Sequence, residues 1–325
     1  MSSSGPKARA PRPTKAGRIA DFLGEMFPPI VHLPASLTSV AAIYFSLAAL
    51  EGRMPLTLTW RAGGAALTLF LFGLLMRLYD ELKDVETDLR LGRAGDPRYM
   101  DRPIVTGRIR VEDLDALRVA VSVAALAVNL PLGFPLPLAV FAGVFLLCWL
   151  SFKWFFWPAI SRNILLAFVT HNPIAAALGL YVVAVYTRDF GLTVPWQKVL
   201  LLIMGLWLPV AAWETSRKVR CPEDETDYQT YSKKLGWRTA GLVPAVFVIG
   251  AVAFLVPVLR AAGLGGAAVL GLAVAAAIPV VACLRFRLRP TTASANLRPF
   301  VEIFALLVNL GLPLALALEH GVGFR

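Results

Sequence analysis

Apolar and polar positions along this chain fall into long blocks, not the short alternation of strands. Nine apolar runs lie at about 30–50, 61–83, 114–133, 136–157, 163–186, 197–216, 239–260, 264–285 and 298–318, separated by polar connections. Each holds about 20 residues, enough to cross ~30 Å of hydrocarbon at ~1.5 Å per residue. The pattern predicts an all-α, polytopic membrane protein with nine transmembrane helices bundled around a central cavity. Prolines within or at the edges of the runs, such as Pro131, Pro173, Pro209, Pro244 and Pro279, are compatible with this, because neighbouring helices satisfy the backbone groups they free. Residues 1–20 are rich in Ser, Pro and Ala and carry Lys7, Arg9, Arg12, Lys15 and Arg18. No apolar core follows at signal-peptide distance. A disordered basic tail is expected over 1–20, and a single transmembrane domain over 21–325. The stretch Ile19 to Phe27 also reads as a short amphipathic piece lying on the membrane surface.

Composition agrees. Of 325 residues, 57% are hydrophobic and 16% charged, with mean hydropathy +0.66, whereas soluble domains carry about 25% charged residues. The net charge of +11 would fit nucleic acid, but its distribution fits membrane topology. With a cytoplasmic N-terminus, 25 of the 32 lysines and arginines fall on the cytoplasmic side, the asymmetry of the positive-inside rule. No nucleic-acid partner is expected. Cys148 and Cys283 sit in apolar runs and Cys221 in a polar loop, with no paired spacing. The three histidines are far apart in sequence, which leaves little support for a histidine metal site.

Two polar loops then fall on the same cytoplasmic face. The first begins inside the second run: Asp80, Glu81, Asp84 and Asp88 stand at i, i+1, i+4 and i+8. On a helix these lie within roughly 100° of one another. A solvated helix end would be the bland explanation. Carboxylates at steps of four repel each other, however, and Mg²⁺ holding a phosphorylated ligand would neutralise them. Further on, Arg102 is a candidate clamp for phosphate oxygens, and Pro103 and Gly107 mark a turn. The second loop follows the sixth run. Glu214, Arg217 and Lys218 share a helix face, and Asp224, Glu225 and Asp227 after Pro222 are candidates for a second metal. Lys153 and Arg162 flank the turn after the fourth run, where phosphate contact and membrane anchoring look alike. The aromatic cluster around Lys153 reads as an interface belt or as the wall of an apolar pocket. His171 and Asn172 are polar groups at membrane depth, readable as a pocket or as an interhelical hydrogen bond.

The spacing Asp80-Glu81-x-x-Asp84-x-x-x-Asp88, followed by Asp101-Arg102-Pro103-Ile104 and Gly107-Arg108, resembles the UbiA-type intramembrane prenyltransferase superfamily. That family's motif is Asn-Asp-x-x-Asp-x-x-x-Asp, so Asp80 and Glu81 are departures. Its second motif, Asp-x-x-x-Asp, is absent, although Thr230-Tyr231-Ser232 and Leu235-Gly236 resemble the ending of that loop. The resemblance covers most of the chain from about residue 25 and suggests a divergent member. It implies Mg²⁺ ions held by Asp80, Glu81, Asp84, Asp88, Glu214, Asp224, Glu225 and Asp227. It also implies a prenyl diphosphate held by Arg102, Lys153, Arg162, Arg217 and Lys218, with Asp80, Asp84 and Lys153 carrying the catalysis. The expected reaction is transfer of the prenyl group, after ionisation of its diphosphate, to a membrane-soluble or aromatic acceptor at the cytoplasmic face. A terpene cyclase of the same type is the alternative. A cation-coupled transporter is the more distant one, since a transporter would place its charges near the bilayer midplane.

Overall fold

The computed structural model describes residues 14–225 and 228–324. The expected tail over 1–13, and Asp227, lie outside the described residues. The fold is all-α apart from one short strand pair. Eight helices are long and apolar enough to cross a membrane: Pro29–Leu50, Trp60–Arg93, Val111–Leu132, Ile164–Phe190, Trp196–Ser216, Trp237–Ala261, Gly266–Leu288 and Thr292–His320. The fourth apolar run, expected over 136–157, yields a shorter helix, Leu136–Phe152, of 17 residues. It stops because Lys153 leaves helical geometry and three residues with positive φ follow. The protein is an integral, multi-pass membrane protein.

Internal contacts divide the chain into two units. The first contains the described part of Met1–His32 together with Gly73–Ala124. Helix α1 (Lys15–Met26) starts inside the segment expected to be tail, because Thr14 caps it, its side chain accepting from the Gly17 N–H at 3.2 Å. The cap satisfies one of the orphan donors of the first turn. Arg18 then grips Asp113 through two bonds of 2.7 and 2.8 Å, and Arg108 pairs with Glu25. Apolar packing completes the hold: Phe22 is buried, and a Cβ on Gly73 would come within 3.2 Å of the Phe27 ring.

The second unit contains Leu33–Phe72 and the described part of Ala125–Arg325. Its most extensive helix pair is Trp196–Ser216 against Val243–Ala261. They approach closely because a Cβ on Gly205 would fall 2.6 Å from Leu255, the use of small residues typical of helices in lipid. Asn129, buried between helices, donates to Thr68 at 2.9 Å and accepts from the Tyr181 hydroxyl at 2.7 Å. At one end of this unit, two buried acids draw distant segments together. Asp189 accepts from Tyr44, Thr59 and Arg61 at 2.9, 2.5 and 3.0 Å. Glu51 accepts from Arg53, Tyr186 and the Thr193 backbone at 2.7, 2.7 and 2.6 Å. Burial works against the Glu51 carboxylate, but these donors win and hold its carboxyl below the usual range. Beside them β1 (Leu56–Leu58) pairs in parallel with β2 (Val322–Phe324). Cys148, Cys221 and Cys283 are all free thiols and all buried, the last two in one apolar cluster with Tyr231, Phe286 and Leu297.

Candidate active site

The first acidic loop grows out of one helix. Trp60–Arg93 has 34 residues, about 51 Å at 1.5 Å per residue, and so outruns the hydrocarbon. The acids occupy its final turns. Asp80 and Asp84 are exposed, whereas Glu81 and Asp88 are buried. Each buried acid has one arginine: Arg77 bonds Glu81 Oε1, and Arg102 bonds Asp88. Asp80 pairs with Lys83 at 3.0 Å. Two acceptors stay open. Glu81 Oε2 is buried and unpartnered, and Asp84 makes no hydrogen bond or ion pair among the described residues.

The connection after this helix delivers Arg102. Asp96 starts it, accepting from the Arg98 side chain at 3.0 and 2.6 Å; that guanidinium holds the Asp96 carboxyl below its usual range. A Cβ on Gly92 would fall 2.5 Å from Val105, so only glycine lets the loop fold back on the helix. Gly107 turns the chain at φ +73°, a left-handed conformation that favours glycine. Arg102 stacks on the Tyr99 ring at 4.8 Å. Burial alone would make this guanidinium easier to deprotonate, but the bond to Asp88 outweighs it and raises its pKa. Asp80, Glu81, Asp84, Asp88 and Arg102 therefore form one cluster. Arg77, Lys83 and Tyr99 were not singled out from sequence; the i, i+4 and i, i+3 spacings of the first two to Glu81 and Asp80 carried the signal.

The donor set fits Mg²⁺ in part. Among the described residues no three acid, histidine or cysteine side chains converge on one point. Mg²⁺ binds through one or two carboxylates, with water and phosphate oxygens completing its shell. The open Glu81 oxygen and the Asp84 carboxylate meet that need.

The second polar loop belongs to the other unit and is built differently. Lys218 Nζ bonds Glu214 at 2.8 Å, and Arg217 lies 3.6 Å from its other oxygen. Arg217 also stacks on Trp213 at 4.5 Å, whose indole N–H donates to Glu302 at 2.9 Å. Asp224 accepts from the Cys221 thiol at 2.9 Å, and this bond, with help from Thr292, holds its carboxyl below the usual range. Both oxygens of Glu225 face the Thr230 hydroxyl, at 3.0 and 2.8 Å. Each of these three acids is thus engaged locally and apart from the others, which does not fit the second metal expected there.

Lys153 and Arg162 are exposed, with Lys153 Nζ 4.7 Å from the Phe152 ring centre. Between them Trp154, Phe155 and Phe156 have φ of 51, 53 and 54°. Left-handed backbone costs an L-residue about 1–2 kcal/mol, so three in a row are held by their surroundings, a feature that clusters at functional sites. His171 packs against this turn, its ring 5.2 Å from Trp154 and 5.6 Å from Phe155. The helix that carries it breaks at Asn172 and Pro173 before resuming as Ile174–Phe190. Asn172 accepts from the Trp207 indole N–H at 2.8 Å, the interhelical bond that was one of its two readings. Trp207, Ser151 and the left-handed turn were not anticipated.

No family model matches the sequence, and no curated protein matches it significantly. Solved structures do match. A digeranylgeranylglyceryl phosphate synthase of membranes is similar at TM-score 0.60, with 15% identity, over 92% of this chain and 98% of that one. The apo structure of a UbiA homologue from Aeropyrum pernix K1 is similar at TM-score 0.59, with 19% identity, over 89% of this chain and 97% of that one. The chain has the fold of UbiA-type intramembrane prenyltransferases, the fold its first motif led us to expect.

Proposed function

We propose that this protein is an intramembrane prenyltransferase that ionises a prenyl diphosphate at the Asp80–Asp88 loop and passes the prenyl group to an acceptor. The observation that carries the reading is the open Glu81 oxygen and free Asp84 carboxylate beside the Asp88–Arg102 pair, on a fold shared with prenyltransferases. Asp80, Glu81, Asp84 and Asp88 would hold Mg²⁺, which supplies positive charge to the leaving diphosphate. Arg102 is poised to exchange its bond to Asp88 for a two-point grip on phosphate oxygens. Lys153, Arg162, Arg217 and Lys218 add positive charge at the cytoplasmic face, and the apolar helices receive the isoprenoid tail.

The departures at Asp80 and Glu81, and the closed second loop, keep a terpene cyclase in view as a second reading. One experiment tests both. Purified protein is incubated with prenyl diphosphates of different lengths, with and without Mg²⁺ and candidate acceptors. Transfer predicts a prenylated acceptor and Mg²⁺-dependent diphosphate release. A cyclic hydrocarbon formed without acceptor would replace transfer by cyclisation, and no diphosphate release under any condition would overturn both.

A further inference from the structure

We propose that the adjoining ends of the spans Trp237–Ala261 and Gly266–Leu288 bind the headgroup of an anionic phospholipid. Both ends belong to the second unit and meet directly. The Trp237 ring packs edge-on against Phe286 at 5.9 Å, and a Cβ on Gly241 would fall 2.4 Å from the same Phe286 ring, so a glycine lets the two spans close. Arg238, Arg285, Arg287 and Arg289 stand at this junction. Arg285 and Arg289 are one turn apart, the Arg289 N–H donating to the Arg285 carbonyl at 2.9 Å. Arg287 reaches across to the Arg238 carbonyl at 3.5 Å, and Arg238 lies over Trp237 at 5.1 Å. A capping box between Thr291 and Ser294 fixes the turn that follows, and the Ser294 hydroxyl also holds the Arg289 carbonyl at 2.8 Å.

Gathering like charges costs free energy unless anions balance them. The chain supplies few here: no Asp or Glu occurs between Asp227 and Glu302. All four arginines are exposed, and none pairs with a carboxylate among the described residues. Other cations are matched, as Arg18 is by Asp113 and Arg298 by Glu302. Asp224 touches the turn through Thr292, but the Cys221 thiol engages its carboxylate at 2.9 Å. Membrane topology accounts for the sign of a loop, not for arginines held on one packed junction without acids. A negative group from outside the chain completes the charge balance.

The surroundings select a lipid. Val281, Leu284, Arg285 and Leu288 stand at i, i+3, i+4 and i+7, on one face of their helix, and all are exposed, Leu288 at 80%. Such an apolar stripe is unfavourable in water and suits acyl chains. Arg285 sits at its end. A phospholipid carries its phosphate where its chains begin, so one molecule meets the arginines with its headgroup and Val281 and Leu284 with a chain. Guanidinium forks grip phosphate oxygens at two points, and basic clusters between span ends seat such headgroups. A soluble anion would leave the stripe unmatched.

The test uses the purified full chain, immobilised and equilibrated with neutral detergent micelles carrying equal amounts of phosphatidylglycerol and phosphatidylcholine; the lipid retained per protein is then measured. No prenyl diphosphate is present, so the outcome is independent of the prenyl-transfer reading. The natural chain is expected to enrich phosphatidylglycerol roughly tenfold over phosphatidylcholine, as several arginines around one headgroup imply. The triple variant Arg285→Gln, Arg287→Gln, Arg289→Gln should retain the two lipids within about twofold of each other, whereas Lys198→Gln, which removes an exposed cation from another span, should keep the enrichment. In the natural chain about 0.5 M sodium chloride should abolish it, because salt screens exposed charges, and this arm reads the site even should the triple variant fail to fold. Equal retention of both lipids by the natural chain, enrichment that survives the triple substitution or the salt, or an equal loss in Lys198→Gln would each overturn the inference. Inorganic phosphate that displaces the lipid where sodium chloride of equal ionic strength does not would mark a soluble-anion site and overturn the lipid as its occupant.

Discussion

The two acidic loops have similar compositions and opposite chemistry. In the first, the acids ride on consecutive turns of one helix. Neighbouring carboxylates cannot neutralise one another, and the nearby cations cover only some of the oxygens, leaving Glu81 Oε2 and Asp84 open. In the second, the helix ends at Ser216, and three acids each find a donor within five residues: Lys218 for Glu214, Cys221 for Asp224, Thr230 for Glu225. The difference teaches that an acidic count does not by itself leave carboxylate oxygens open. What matters is whether the backbone holds acids so close that local donors run out.

The sharpest way to break this comparison is at Asp84. Asp84→Asn is expected to lower diphosphate release by about 10³-fold and to abolish Mn²⁺ binding measured by electron paramagnetic resonance, since a preorganised charge is worth that much in a transition state. If Mn²⁺ binding survives, the first loop is not the metal site. Arg102→Lys comes next. It keeps the charge but loses the planar fork and the stacking on Tyr99, so kcat/KM should fall by about 10- to 100-fold with Mn²⁺ binding intact.

Asp189→Asn probes an acid whose task is purely structural. It leaves the part-buried Arg61 without its ion-pair partner and removes the acceptor shared by Tyr44 and Thr59, a destabilising loss where water is largely shut out. The thermal midpoint in detergent should drop while Mn²⁺ binding holds. Asp224→Asn and Glu225→Gln should change diphosphate release by less than about threefold, the usual size for a substitution outside the reacting site; a loss comparable to that of Asp84→Asn would return the second loop to the metal-binding class.

The smallest effect concerns pH. Glu51 has its carboxyl lowered in the folded protein. Its stabilisation is therefore fully present above the unfolded value, about 4.3, and fades as pH falls through the lower folded value. Thermal midpoints recorded from pH 7 down to about pH 3 should decline in that window, and the decline should be shallower in Glu51→Gln.

The fold was legible because membrane helices announce themselves by length: eight of the nine apolar runs are long enough helices, and the fourth falls short only where Lys153 and the aromatic turn end it. The first loop was legible because Asp80, Asp84 and Asp88 share a helix face, which spacing alone reveals. The closure of the second loop was not, since the bonds from Cys221 and Thr230 depend on loop conformation that no periodicity reports. Glu51 and Asp189 escaped notice entirely. Their partners, such as Arg61 for Asp189 and Tyr186 for Glu51, are 128 and 135 residues away, and only the folded chain brings them together. The positive φ of Trp154, Phe155 and Phe156 has no sequence signal, because these residues rarely adopt it.

The burial of Cys148, Cys221 and Cys283 has a practical consequence. The natural chain is silent to water-borne maleimides and so serves as its own background. A single new cysteine at an exposed position, such as Glu86 in the first loop or Lys198 in the first turn of the Trp196–Ser216 span, would be the one thiol that reacts. In sealed vesicles of known orientation, Glu86→Cys and Lys198→Cys should then label from opposite sides, turning the charge asymmetry of the sequence into a direct readout of which face of the membrane the acidic loop meets.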